Sequence, residues 1–264
     1  MIKVIFEEWA PTYRQILKDF NFSEKRDADS AAYLSQIYQK QVSQSERENT
    51  FENLKSQIFG KCVVICGNAP ALEKDLAGYF NEEMGQWIQK TDASGCLNGG
   101  KIMSQTDQKK VWMASDGAAV VLLKQKILPD IIVTDLDGKN PDDAEIEIKA
   151  ADDGALLVIH AHGDNQNKLE KYAPKLEKRL NRIIPTCQCL PPANIYNFGG
   201  FTDGDRGLFL AEELGAAHIV LLGFDFEDTH VTDLKKKKLA WAEKLIRQRM
   251  QKNPGKIEYF NDGR

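Results

Sequence analysis

Ile131-Ile132-Val133-Thr134-Asp135-Leu136-Asp137-Gly138 runs four β-branched residues straight into two carboxylates and a glycine. A short apolar run closed by turn-forming residues reads as a strand buried on both faces. Similar runs stand at Cys62–Cys66, 111–114, 156–160, 194–197 and His218–Leu222. Between them, apolar residues return at helical spacing over 71–80, 117–126, 165–180, 204–214 and 233–251. Strands alternating with helices predict an α/β fold, a mostly parallel sheet with helices on both faces.

Upstream the texture differs. Residues 1–59 hold one proline, Pro11, and no glycine. Phe6, Trp9, Tyr13, Ile16, Leu17 and Phe20, then Tyr33, Leu34, Ile37 and Tyr38, then Phe51, Leu54 and Ile58, recur at helical intervals. This predicts a helical N-terminal region, 1–59, of two or three amphipathic helices before an α/β catalytic domain, 60–264. Ser23 before Glu24, and Asp27 before Asp29, read as helix starts. The polar, glycine-rich segment 81–110 reads as a surface insertion or lid.

Composition narrows the partners. The 39 acidic and 35 basic residues give a net charge of −4, which argues against a uniformly basic nucleic-acid surface. No apolar run approaches the roughly 20 residues of a membrane span. Glu7 and Glu8, close behind a short apolar stretch, do not fit a secretory leader. Five cysteines in 264 residues make no disulfide framework. A cytoplasmic protein acting on small molecules is expected, without nucleic acid or membrane. The amphipathic N-terminus leaves a homo-oligomer open.

In open parallel sheets ligands bind beyond the carboxyl ends of the strands, and here each run ends in glycine or polar residues. Gly67-Asn68-Ala69-Pro70 follows the first, Ser115-Asp116-Gly117 the second, and Asp135-Leu136-Asp137-Gly138 the third. His160-Ala161-His162-Gly163-Asp164-Asn165 closes the fourth. Asn197-Phe198-Gly199-Gly200-Phe201-Thr202-Asp203-Gly204-Asp205-Arg206 closes the fifth, and Gly223-Phe224-Asp225 the sixth. In extended chain, residues i and i+2 point the same way, so Asp135 and Asp137 would share a side. Paired carboxylates repel unless a cation sits between them, and Mg²⁺ favours one or two carboxylates with phosphate oxygens and water. Asp203 and Asp205 repeat the spacing. Both pairs also read as helix caps.

Gly67 and Asn68, at a strand-to-helix turn, suit a phosphate or a plain turn. His160 and His162 suit the edge of a flat heterocycle, a transition metal, or neighbouring protein groups. Phe198 and Phe201 suit a stacked base or core packing. The lysines 235–238 read as a solvated helix face, and Cys187 and Cys189 as an unremarkable pair.

The segment Ala114-Ser115-Asp116-Gly117-Ala118 with Leu128-Pro129-Asp130 and Asp135-Leu136-Asp137-Gly138 resembles the catalytic core of thiamin pyrophosphokinases. Alanine and glycine replace that family's second glycine and its serine. The fuller set, adding the 67–72 loop and the stretches 160–165 and 197–206, more closely resembles the archaeal 6-hydroxymethyl-7,8-dihydropterin pyrophosphokinase family. The resemblance covers about residues 61–225. It implies Mg²⁺-dependent transfer of diphosphate from ATP to the pterin hydroxymethyl group, in methanopterin or folate synthesis. It implies metal ligands Asp135, Asp137 and Asp116; nucleotide contacts at Gly67, Asn68, Asp116, Gly117, Gly199 and Gly200; and catalytic roles for Asp203, Asp205 and Arg206. Pterin contacts would fall to His160, His162, Asp164, Asn165, Asn197, Phe198, Phe201 and Thr202. Thiamin diphosphate synthesis and nucleotide-sugar-dependent glycosyl transfer are the alternatives, the second because the same core also occurs in flagellin-modifying proteins.

Overall fold

The structure is a computed structural model that describes residues 2–90, 110–138 and 140–260, with backbone alone for residues 2–5 and 83–90. Three helices come first: α1 (Ile2–Phe20), α2 (Glu24–Gln41) and α3 (Gln44–Ile58). Then follow β1 (Cys62–Cys66), α4 (Leu72–Lys90), β2 (Val111–Ser115), α5 (Gly117–Lys124), β3 (Ile131–Thr134), α6 (Asp143–Ala150), β4 (Leu156–Ala161) and α7 (Gln166–Leu176). A 3-10 segment (Glu177–Arg182) leads into β5 (Ile183–Cys187), α8 (Asp203–Glu213), β6 (His218–Leu222), α9 (Asp233–Lys252) and β7 (Ile257–Tyr259).

The described strands make one parallel sheet in the order β5-β4-β3-β2-β1-β6-β7. Alternation along each strand assigns the two faces. Val64, Ala114, Ile132, Leu157 and Ile159 join a core closed by Leu76 of α4, Leu122 of α5, Ile148 of α6 and Leu169 of α7. Val63, Ile65, Met113, Val133 and Val158 join a second core, closed by Leu54 of α3, Leu208 and Ala211 of α8, and Ile246 of α9. All carboxyl ends therefore meet at one edge, as the sequence pattern predicted.

Three helices form the N-terminal region. Ser23 caps α2 by accepting from the Arg26 N–H, and Ser43 with Glu46 makes a reciprocal capping box on α3. Asp27 starts no helix; it lies within the first turn of α2, buried. These helices belong to the same body as the sheet. Trp9, Tyr13, Leu34 and Tyr38 sit in the first core, and the Tyr38 hydroxyl donates to the Ile183 carbonyl at 3.0 Å.

Several boundaries move. The segment 81–110 begins as helix, since α4 runs to Lys90; the remainder of the expected lid, 91–109, lies outside the described residues. The fifth strand is Ile183–Cys187, not 194–197. It tolerates Pro185 because it is an edge strand. Residues 194–197 run beside it, where Tyr196 N–H donates to the Pro185 carbonyl and Cys187 N–H to the Tyr196 carbonyl. Two short elements, α6 and β7, carry too few residues for a periodic signal. None of the described helices is long and apolar enough to cross a membrane.

Leu34, 2% exposed, ties α2 to the sheet core. Leu34→Ala should cost about 2–5 kcal/mol. Far-ultraviolet circular dichroism and tryptophan fluorescence should lose signal together in urea; separate transitions would show that the N-terminal helices unfold on their own.

Candidate active site

The carboxyl edge opens into a cleft of about 650 Å³, its open mouth included. Asp116, Asp135, Asp137, His162, Asp164, Gln188, Phe201, Thr202, Asp203, Arg206, Lys235 and Lys238 face it, with Phe22 from the segment after α1. Five carboxylates thus confront three permanent cations and an imidazole.

Two left-handed residues shape the acidic side. Asp116 ends β2 with φ 36° and ψ −124°, and Leu136 follows β3 with φ 64°. Non-glycine residues in sparsely populated backbone regions cost on the order of 1–3 kcal/mol each and persist only where their surroundings enforce them. Leu136 is held by burying its side chain, 1% exposed, and by its N–H donating to the Thr134 hydroxyl at 2.9 Å. The expected extended geometry for Asp135 and Asp137 is therefore corrected. The chain turns at Leu136, and the Asp137 N–H donates to Asp135 Oδ1 at 3.0 Å. The turn, rather than strand alternation, brings both carboxylates to the cleft.

Their charges are treated unequally. Burial works against the Asp135 carboxylate, but the His162 hydrogen bond at 3.1 Å and the His162 and Arg206 charges outweigh it, bringing it down to about 2. Burial and the Asp135 charge push Asp116 up to about 6. Burial, then Asp135, also raises Asp203 well above the ordinary range, against the pull of Arg206. Arg206 donates to Asp203 at 3.2 Å. Below the cleft lies Glu147, 0% exposed, accepting from the Thr134 hydroxyl at 2.7 Å. Burial and the neighbouring Asp116 raise its carboxyl well above the ordinary carboxylate range.

Among the described residues no three histidine, cysteine or acidic side chains form a ready metal cage. A magnesium site needs no such cage, because phosphate oxygens and waters complete a shell begun by one or two carboxylates. The crowding of Asp116, Asp135 and Asp203 is the kind of repulsion a dication relieves.

Other predicted residues turn inward. Asp205 is fully buried and caps α8, accepting from the Phe201 and Thr202 N–H groups and the Thr202 hydroxyl. Its hydrogen bonds fix the start of α8. His160 is 2% exposed, with Nδ1 3.1 Å from the Thr186 hydroxyl. Burial, aided by Arg206, keeps its imidazole neutral. Asn165 acts from behind: its amide donates to the Asp135 and His160 carbonyls, and its Oδ1 accepts from the His162 N–H. Asn197 bonds the Cys189 carbonyl and the Gly199 N–H. Phe198 stacks on Tyr196. Cys187 and Cys189 are buried, each thiol on a backbone carbonyl.

The glycines meet protein as well. A Cβ on Gly67 would lie 2.7 Å from the Gly223 carbonyl oxygen, and one on Gly200 would lie 2.6 Å from the Arg206 Cα. The first contact joins β1 to β6; the second seats the loop on α8 and so places Arg206. Gly199 packs on Phe209, and Asn68 lies against Gly117 beside Asp116.

Lys235 and Lys238, read from sequence as a solvated face, line the cleft because α9 starts at its rim. Gln188, Phe22 and Glu147 carried no motif; only the fold brings them here.

Known proteins resemble this chain along most of its length. A family model described as 6-hydroxymethylpterin diphosphokinase MptE-like matches residues 99–231. The 6-hydroxymethyl-7,8-dihydropterin pyrophosphokinase of Methanocaldococcus jannaschii is 35% identical over 257 residues, 91% of this chain and 93% of that protein. The protein of the same name from Pyrococcus furiosus is 36% identical over 270 residues, 97% of this chain and 99% of its own. A crystal structure of thiamine pyrophosphokinase from Bacillus subtilis aligns at 18% identity and a TM-score of 0.35, over 75% of this chain and 60% of that chain.

The raised Asp116 carboxyl makes a stability prediction. The folded chain holds this proton more tightly than the unfolded chain, so the stability it contributes is present below 3.8 and lost as pH rises through about 6. In metal-free buffer at pH 8, Asp116→Asn should raise stability by on the order of 1–3 kcal/mol. The gain should shrink as pH falls below 6. Calorimetric melts across pH 4–8 check it; a variant less stable at pH 8 would deny the repulsion.

Proposed function

The chain belongs to the 6-hydroxymethylpterin diphosphokinase MptE-like family, and on that premise we propose that it transfers diphosphate from ATP, with Mg²⁺, to the hydroxymethyl group of 6-hydroxymethyl-7,8-dihydropterin. The convergence of Asp116, Asp135, Asp137 and Asp203 opposite Arg206, Lys235 and Lys238 in one cleft carries this reading.

Asp135 and Asp137 would hold Mg²⁺, with Asp116 beside them. When bound, the ion neutralises charge on the phosphate oxygens. The chain's own groups supply the rest. Lys235 and Lys238 neutralise the polyphosphate tail. Arg206, held by Asp203, meets the moving diphosphate. His162 fixes Asp135 in its charged form. The pterin hydroxymethyl oxygen attacks the β-phosphorus, the bond from that phosphorus to the α–β bridging oxygen breaks, and AMP leaves with the electron pair. Asp203 would take the hydroxyl proton. Phe22 and Phe201 offer an apolar wall to a flat ring, and Asp164 an acceptor for its N–H edge. Positioning and charge stabilisation do most of the work in phosphoryl transfer, and diphosphoryl transfer is taken to follow suit.

AMP release from ATP and Mg²⁺ should require 6-hydroxymethyl-7,8-dihydropterin and yield a pterin diphosphate. AMP formed with thiamin instead would change the acceptor, and none with either would overturn the reading. Asp137→Asn should lower kcat by on the order of 10²-fold or more. Lys235→Ala with Lys238→Ala should raise the KM for ATP about ten-fold, with the pterin KM little changed; equal effects on both would misplace the triphosphate.

A further inference from the structure

Asp27 lies in the helical N-terminal region, far in sequence from every strand-end motif. It is 2% exposed and lines no part of the cleft. Its carboxylate nonetheless collects three donors from three parts of the molecule. Oδ2 accepts from the Tyr13 hydroxyl at 2.7 Å and from Gln188 Nε2 at 2.8 Å, and Oδ1 accepts from the Gly163 N–H at 2.7 Å. Gly163 follows His162, which holds Asp135. Gln188 passes the connection onward, since its Oε1 accepts from Arg206 Nη2 at 3.0 Å. Trp9 fixes the other end of Gln188, its indole N–H donating to the Gln188 carbonyl at 3.1 Å.

Donor and acceptor chemistry makes this chain directional. A side-chain amide has one accepting and one donating end. A carboxylate at 27 takes the donating end of Gln188 and leaves the accepting end for Arg206. We propose that Asp27 is a positioning residue for diphosphate transfer: it sets the orientation of the Gln188 amide, and through it the Arg206 guanidinium, while pinning the His162 loop through Gly163. The N-terminal helices thereby act on the site without touching substrate. This inference rests on the reading of the cleft as a diphosphate-transfer site.

Asparagine at 27 has one accepting atom where the carboxylate has two. With its NH₂ toward Gln188, that amide must turn over, and its NH₂ then opposes Arg206. Glutamate at 188 accepts at both ends and restores the chain with the same net charge. Glutamate at 188 opposite the native Asp27 places two carboxylates together. Each single change should therefore harm the site, and the pair should repair it.

The test measures calorimetric binding of inorganic diphosphate with MgCl₂ and melting of the same samples, beside kcat for AMP release. Asp27→Asn and Gln188→Glu should each weaken diphosphate binding about ten-fold, the scale of a lost bond to a charged group. The double variant should return to within about three-fold of the parent. Single variants that fold and bind diphosphate like the parent would overturn the proposal. So would a double variant that recovers its melting temperature but not its binding. Should Asp27→Asn fail to fold, Gln188→Met cuts the link to Arg206 and leaves the Tyr13 and Gly163 bonds, and unchanged diphosphate binding there would equally overturn it. Parent protein that binds diphosphate but makes no AMP with the pterin would sink the acceptor assignment, and the diphosphate comparison would still decide the wiring.

Discussion

Like charges gathered in a half-buried cleft repel, and much of this molecule is arranged around keeping them together. The Asp135 charge acts on the carboxyls of both Asp116 and Asp203, and Asp116 acts on Asp203 as well. The fold meets this repulsion in two ways. It neutralises selectively, placing His162 on Asp135 and Arg206 on Asp203, while burial raises the Glu147 carboxyl. It also fixes the backbone rigidly enough that the acids cannot swing apart. The left-handed turns at Asp116 and Leu136 are tolerable because the parallel strands beneath them are buried on both faces.

The sheet and the N-terminal helices divide this labour. The strand ends and the first turns of α8 and α9 present the charged groups, and the N-terminal helices set where several of them rest. Trp9 and Asp27 grip Gln188, Tyr13 holds Asp27, and Asp27 also grips Gly163. The Arg26 side chain packs against Gly163 as well, close enough that a Cβ there would meet it at 2.7 Å. The helical region is thus a structural part of the catalytic body.

Much of this was legible in the amino-acid order. Cys62–Cys66, Ile131–Thr134 and His218–Leu222 fall where apolar runs placed them, because central parallel strands must be apolar on both faces. The convergence of Asp116, Asp135, Asp137 and His162 followed from parallel topology, while Asp203 and Arg206 reach the cleft from the first turn of α8. Asp205, His160, Asn165 and Asn197 bond protein groups, since a polar residue beside a site can serve the fold as well as a ligand, and spacing does not separate the two. Asp27, Gln188 and Glu147 left no local trace, since their meaning arises from partners more than ten residues away. The edge strand Ile183–Cys187 was hidden by Pro185, which an edge tolerates and a pattern search penalises.

The hydrogen bonds that complete the cleft span long stretches of chain: 136 residues from Gly163 to Asp27, 161 from Gln188 to Asp27, and 179 from Trp9 to Gln188. Contacts of such separation carry a loop-closure cost that local contacts do not, and the sheet carries it too, since Cys62 of β1 pairs with His218 of β6. The same helices also close the first core of the sheet, through Trp9 and Tyr13. Architecture and chemistry are therefore completed together, since the residues that finish the core also finish the cleft.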